Sequence, residues 1–179
     1  MARRLKQIKR IFITFLIIIV CFLLECTVFK QINPLAVAPN LLIVVAAAFG
    51  FMRGKTEGLL VGFFCGLLRD VFFGDLLGFY ALIYMVIGYC NGFFKQIFYD
   101  DDIKLPICLI TASDFIFGNV VYIFMFVLRG RFGYWTYMRQ SIMPELIYTI
   151  IITVFLYQII LKVNQKMEAS EKRSASKFV

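Results

Sequence analysis

The 179-residue chain contains no histidine, four prolines and one tryptophan, and only 17% of its residues are charged. Without histidine it lacks the commonest general base, proton relay and metal ligand. Its five cysteines lie inside apolar runs without C-x-x-C spacing, so no disulfide framework is indicated. The sequence also shows no phosphate-binding glycine loop and no nucleophile elbow. We therefore predict that the protein is not an enzyme and has no cofactor and no metal site.

Apolar residues, in contrast, are abundant: they make up 61% of the chain, and the mean hydropathy is +0.85. A soluble domain holds roughly 45–50% apolar residues, because its surface faces water. The net charge of +8 would suggest nucleic acid as the partner of a soluble protein. Here the Lys and Arg residues cluster at the ends of apolar runs, where they set orientation in a membrane. We therefore expect contact with membrane lipids and no nucleic acid.

The apolar runs predict an all-α integral membrane protein, a bundle of about six transmembrane helices in one domain covering residues 1–179. The predicted spans are 11–29, 35–52, 58–73, 77–94, 105–128 and 142–161. Three of them have only 16–18 residues, near the lower limit of about 17–25 for crossing the hydrocarbon. Five spans, or one re-entrant segment, are therefore alternatives. The length of the first run favours an uncleaved helix over a signal peptide.

The distribution of Lys and Arg predicts the orientation of this bundle. With the amino terminus inside, the cytoplasmic segments hold fourteen of these residues and the outer segments hold five. An excess of positive charge marks the cytoplasmic side. We therefore expect a multi-pass protein of the bacterial inner membrane with both termini in the cytoplasm. The aromatic and basic segment 131–139 is a candidate interfacial helix on the outer side, serving either as a surface anchor or as a protein contact.

Glycines recur at four-residue intervals along the third and fourth predicted helices. They are Gly58, Gly62, Gly66, Gly88 and Gly92. Side chains four residues apart share a helix face, and small residues on one face allow another backbone to approach closely in lipid. The spacing therefore predicts a tight core of helices two, three and four. The alternative is that these glycines are merely tolerated.

Five ionisable residues fall inside the predicted spans, where charge is expensive and is usually paired or functional. They are Glu25, Arg69, Asp70, Asp114 and Glu145. In the predicted topology all but Asp114 gather on the outer side, where Arg69 could pair with any of the other three carboxylates. Two interpretations remain open: interhelical ion pairs that fix packing, or an outward pocket that docks a partner or a ligand. Proton or ion transport is disfavoured, because one mid-depth acid without histidine makes a poor relay.

Several motifs, taken in order, resemble the family of rod shape-determining MreD proteins. The resemblance is strongest over Pro39–Phe94 and rests elsewhere on layout. The motifs are Pro39-Asn40-Leu41-Leu42, Arg53-Gly54, the glycine repeat that ends in Arg69-Asp70, Gly78-Phe79-Tyr80-Ala81-Leu82, Gly88-Tyr89, Gly92, and Met143-Pro144. One departure is the charged Glu145 beside Pro144, where the family pattern has polar or small residues.

The resemblance implies a non-enzymatic membrane component of the bacterial cell-elongation machinery, which scaffolds peptidoglycan synthesis and regulates cell shape. It implies an MreC-like bitopic partner and, indirectly, an MreB-like filament and a RodA–penicillin-binding protein synthase. Arg69 and Asp70 would orient the partner's docking surface. The fold is expected to be similar to the S components of energy-coupling-factor transporters.

A substrate-binding S component of a vitamin transporter is the alternative function. That family meets its coupling subunit through an Ala-x-x-x-Ala face on the first helix, and residues 11–29 here contain no alanine. A plain assembly factor is a third possibility.

Overall fold

The computed structural model describes residues 2–29, 38–74, 76–95, 104–127 and 133–175. Within these ranges the chain forms six helical bodies and no strand, so the predicted all-helical bundle is confirmed. Three helices are simple: α2 (Leu41–Arg53), α3 (Lys55–Phe73) and α4 (Phe79–Phe94). The others contain π-helical turns: α1 (Ala2–Leu24, then Glu25–Phe29), α5 (Lys104–Tyr122, then Ile123–Val127) and α6 (Tyr134–Tyr137, Met138–Ile142 and Met143–Ala175).

The outer helices carry the surface expected of a membrane protein. Three apolar segments are long enough to cross a bilayer, Ile8–Thr27, Lys104–Val127 and Tyr134–Met167, whereas α2 and α4 are shorter apolar helices. Large apolar side chains such as Phe12 and Phe155 are exposed along α1 and α6. Soluble monomers rarely expose continuous apolar surface of this extent. The protein is therefore embedded in a membrane.

Helix α2 forms the centre of the bundle, since every residue from Leu41 to Met52 is buried. Its 13 residues rise about 20 Å, less than the roughly 30 Å hydrocarbon core of a bilayer. Both ends of α2 therefore lie inside the protein, where neighbouring helices must satisfy its terminal N–H and C=O groups. We name the two sides of the bundle from these ends: the Arg69 end, where α2 begins, and the Arg53 end, where α2 finishes.

The start of α2 corrects the predicted span 35–52. Residues 38–40 are not helical, and the helix begins at Leu41; residues 35–37 lie outside the described ranges. Pro39 disfavours helical geometry in the residue before it. The side chain of Asn40 then accepts a hydrogen bond from the backbone N–H of Ile43 at 3.3 Å and caps the helix. The capping residue, rather than the start of the apolar run, sets the boundary.

Two other predicted boundaries also differ. α1 begins at Ala2 rather than at residue 11, and α6 runs from Tyr134 to Ala175 rather than over 142–161. Neither extension contains a residue that strongly breaks a helix, and a polar helix can continue beyond the lipid because helix formation needs no apolar environment. The predicted interfacial segment is thus partly the first turns of α6; residues 131 and 132 lie outside the described ranges.

Helices α2 and α3 are joined by a single residue, whereas a longer polar turn over residues 53–57 was expected. Gly54 has φ +104°, and α3 begins at the next residue. Only glycine adopts this backbone conformation readily. The tight connection brings α3 alongside α2 and places Arg53 and Glu57 four residues apart.

The α3–α4 crossing is very close. The glycines on its two faces are Gly58, Gly62, Gly66, Gly88 and Gly92, and a Cβ added at any of them would run into backbone of a neighbouring helix. At Gly62, for example, a Cβ would lie 2.8 Å from the carbonyl carbon of Tyr84. Close backbone approach of this kind supplies van der Waals packing between helices that lipid cannot supply.

The six helices alternate in direction between the two ends. α1 passes from Thr14, beside Arg53, to Glu25, beside Arg69. α6 passes from Thr149, beside the start of α2, to Asn164, beside Arg53. The start of α1 and the finish of α6 therefore lie on the same side of the bundle, the Arg53 end.

Candidate functional site

Arg69 lies at the centre of a buried polar network at the Arg69 end. Its Nη1 donates to Glu25 Oε1 at 3.0 Å, to Asn40 Oδ1 at 3.1 Å and to the Tyr84 hydroxyl at 3.0 Å. The second oxygen of Glu25 accepts from the backbone N–H of Leu42 at 3.4 Å. One arginine of α3 thus connects α1, the start of α2 and α4. Of the three pairings considered for Arg69, the structure contains the one with Glu25.

Asn40 is the second centre of this network. Its Oδ1 also accepts from the Tyr84 hydroxyl at 2.6 Å, and its backbone N–H donates to Thr149 Oγ1 of α6 at 3.2 Å. The first N–H groups of a helix have no partner within the helix and carry partial positive charge. Here the Asn40 amide and the Glu25 carboxylate satisfy these groups from inside the bundle.

Aromatic rings cover the exposed side of the arginine. The guanidinium carbon of Arg69 lies 5.5 Å from the ring centroid of Tyr80 and 5.3 Å from that of Phe117. A cation over an aromatic face is attracted by the ring, and more so when water is excluded. Phe117 belongs to α5, so contacts of Arg69 reach a fourth neighbouring helix.

Asp70 has a separate task at the same end of the bundle. It is 1% exposed, and its carboxylate accepts from the backbone N–H groups of Gly78, Tyr80 and Ala81 at 2.8–3.0 Å. These donors form the amino end of α4, where a negative charge is favoured by the helix dipole. Asp70 therefore caps α4 across the α3–α4 turn.

Asp114 was expected alone at mid-depth, and the structure places it beside the network. It is 3% exposed and faces Thr149 and Asn40. Glu145 of α6 lies within electrostatic range of both Asp114 and Arg69. The expectation treated every helix as a full span, whereas α2 is short and begins deep in the bundle, at the level of Asp114. Four of the five predicted ionisable residues thus come together, and Asp70 lies apart from them on the same side.

A second arginine network, which the sequence analysis did not identify, lies at the Arg53 end. Arg53 Nε donates to Asn164 Oδ1 at 2.8 Å, and Nη1 donates to Thr14 Oγ1 at 3.0 Å and Glu57 Oε2 at 3.3 Å. Glu57 also forms an ion pair with Arg10. The network connects α2 with α1, α3 and α6. An arginine ending a wholly apolar helix, four residues before a glutamate, is the signal that could have revealed it.

Uncharged polar residues were also missed. Besides Asn40, Tyr84 and Thr149, Asn91 Nδ2 of α4 donates to Ser113 Oγ of α5 at 2.8 Å. A single amide or hydroxyl inside an apolar run carries no charge signal, although it needs a partner once it is buried in lipid. These residues have the same significance as the charged ones: each forms a contact between helices.

The described ranges contain no group of three or more Cys, Asp or Glu side chains that could hold a metal ion. What the arrangement can do chemically is to fix six helices relative to one another through charge-assisted hydrogen bonds in a low-dielectric interior.

Comparison with known proteins identifies the family. Residues 6–167 match the family model described as rod shape-determining protein MreD. No curated protein and no solved structure matches the chain. The match lends no support to the vitamin-transporter alternative, and the expected similarity to transporter S components stays a prediction. The match covers nearly the whole chain, which confirms the resemblance: the chain belongs to the MreD family and takes part in rod-shape determination.

Proposed function

We propose that this member of the MreD family is a non-enzymatic component of the bacterial cell-elongation machinery in the inner membrane. It scaffolds peptidoglycan synthesis and regulates cell shape together with an MreC-like bitopic protein. Through that partner it acts on an MreB-like filament and on a RodA–penicillin-binding protein synthase. The observation that carries this proposal is the family match over residues 6–167.

The use of the polar residues in the bundle supports a scaffold. Arg69 and Asp70 direct their hydrogen bonds inward, to other helices and to the start of α4. A side chain that is 1% exposed, such as Asp70, cannot be contacted by another protein. The two residues therefore serve docking indirectly, by holding the α3–α4 turn in one conformation.

The docking surface itself consists of exposed apolar residues around that turn. Phe72, Leu76 and Leu77 are 63%, 64% and 80% exposed. A bitopic partner offers a transmembrane helix, and helices associate in lipid through close packing on a rigid, complementary surface. With both chain ends in the cytoplasm, this surface lies at the outer leaflet, where the partner's extracytoplasmic segment begins.

Affinity capture from host membranes in a mild detergent tests the proposed function. A tagged chain is expected to co-purify with a bitopic cell-shape protein and to restore rod shape to cells that lack the native gene. Capture of an ATPase-coupled transmembrane subunit, or full shape rescue with no such partner bound, would contradict the proposal.

A matched pair of variants tests the docking surface. Phe72→Ala with Leu77→Ala is expected to reduce partner capture strongly while the amount of protein in the membrane stays unchanged. Leu82→Ala with Val86→Ala is the control, because both side chains are exposed on α4 away from the turn. Equal capture by the two double variants would exclude the turn as the docking surface.

A further inference from the structure

The Arg69 end contains more acidic than basic groups. Arg69 is the one basic side chain found there within the described ranges, and it is hydrogen-bonded to Glu25. Asp114 and Glu145 lie within electrostatic range of that pair and of each other. A buried ion pair is tolerable when its members satisfy each other, whereas additional uncompensated charge in a lipid-embedded interior is strongly unfavourable.

Asp114 also lacks the hydrogen bonds that stabilise a buried carboxylate. Neither of its oxygens has a hydrogen-bond partner, and the Nδ2 group of the facing Asn40 has none either. Asp70, at the same end of the bundle, accepts three backbone N–H bonds. Both aspartates are almost fully buried, but only Asp70 has the environment of an anion. An ionised carboxylate without donors in this position would carry a large desolvation penalty.

We propose that Asp114 and Glu145 form a buried proton-binding site, in which a proton held between the two carboxyl groups takes the place of the missing counter-charge. A protonated carboxyl group has one O–H donor, so it can donate to the other carboxylate. Glu145 is only half-buried, so it provides the route by which the proton reaches Asp114 from water. A proton needs no cage of oxygen ligands, in keeping with the absence of a three-residue acidic group in the described ranges.

The proton couples the helices that meet at this site. The charged or polar groups that face Asp114 and Glu145 come from every neighbouring element of the network. They are Glu25 of α1, Asn40 before α2, Arg69 of α3, Tyr84 of α4, and Tyr137 and Thr149 of α6. Loss of the proton leaves two adjacent negative charges on α5 and α6, and these charges repel each other. The protein is therefore expected to hold α5 against α6 more firmly at lower pH.

Infrared difference spectroscopy of the full chain in lipid nanodiscs tests the site. A protonated carboxylic acid has a C=O stretching band that is distinct from carboxylate bands and shifts in D2O. We expect this band at neutral pH in the wild-type protein and its decline as pH rises. Asp114→Asn and Glu145→Gln each remove or shift it. Glu57→Gln is the control, because Glu57 is paired with arginines at the opposite end, and this variant leaves the band unchanged.

The possible outcomes separate the proton from other occupants. Absence of the band from the wild-type protein between neutral and mildly acidic pH would overturn the proposal, whether or not the variants fold. A band that is missing in sodium buffer but appears in choline buffer would identify a bound alkali cation instead, which also overturns it. A band that persists in both single variants would place the proton on another residue and contradict the assignment.

Discussion

The two ends of α2 are both closed by an arginine, but they are built differently. At the Arg53 end the carboxylate partner, Glu57, is 35% exposed and is shared with Arg10. At the Arg69 end the partner, Glu25, is 10% exposed and also accepts a backbone N–H of α2. The Arg53 end thus keeps contact with a polar environment, whereas the Arg69 end must satisfy its charges from within the protein.

The difference follows from the direction of α2. An N-terminus presents N–H donors and attracts carboxylates, whereas a C-terminus presents carbonyl groups and attracts cations. Arg53 lies in the last turn of α2 and Glu25 approaches its first turn, so each charge has the sign that the helix dipole favours. The dipole leaves Arg69 as the counter-charge that makes a glutamate tolerable at the buried N-terminus. We therefore expect the Arg69 end to respond more strongly to mutation than the Arg53 end.

Removal of the buried arginine is expected to have the largest effect. Arg69→Met leaves Glu25 without a counter-charge and should lower the free energy of unfolding by about 3–5 kcal/mol, the usual cost of breaking a buried ion pair. Unfolding in mixed micelles measures this difference. Because the cost lies in the orphaned charge, Glu25→Gln introduced together with Arg69→Met should recover a large part of the loss. A single variant as stable as the wild type would remove the basis of the comparison.

Arg53→Met is expected to have a smaller effect, about 1.5–3 kcal/mol, the range for hydrogen bonds to a charged group. Glu57 keeps Arg10 and partial exposure, so no charge is left buried and alone. The same unfolding assay applies, with both methionine variants measured side by side. A greater loss for Arg53→Met than for Arg69→Met would reverse the proposed order of the two ends.

The glycine contacts between the two ends provide a further comparison that involves no charge. Gly62→Ala should lower the free energy of unfolding by about 1–3 kcal/mol, as overpacking does, because backbone must move. Gly118→Ala is the control: its Cβ would meet the side chain of Ile142 at 3.1 Å, and a side chain can adjust. Equal losses for the two variants would show that close backbone approach at the α3–α4 crossing is unimportant.

Sequence patterns predicted the six helices and the membrane environment because both depend on long apolar runs. They did not predict the depth of the Arg69 network, because hydropathy alone gave α2 a full span and did not account for capping by Asn40. They also could not select Glu25 from three candidate partners of Arg69. That choice depends on how α1 approaches α2, which is a tertiary contact. Tyr84 and Thr149 were missed because an isolated hydroxyl in an apolar run has no periodic signal.

The central claim is that the two arginine networks face opposite sides of the membrane, the Arg69 end outward and the Arg53 end toward the cytoplasm. Single cysteines at Leu77 and Thr56, both exposed and near the respective ends, test it in a chain whose native cysteines are replaced. In intact cells a membrane-impermeant maleimide should label position 77 at once and position 56 only after permeabilisation. Labelling of position 56 from outside, with position 77 protected, would contradict the orientation and the proposed outer docking surface.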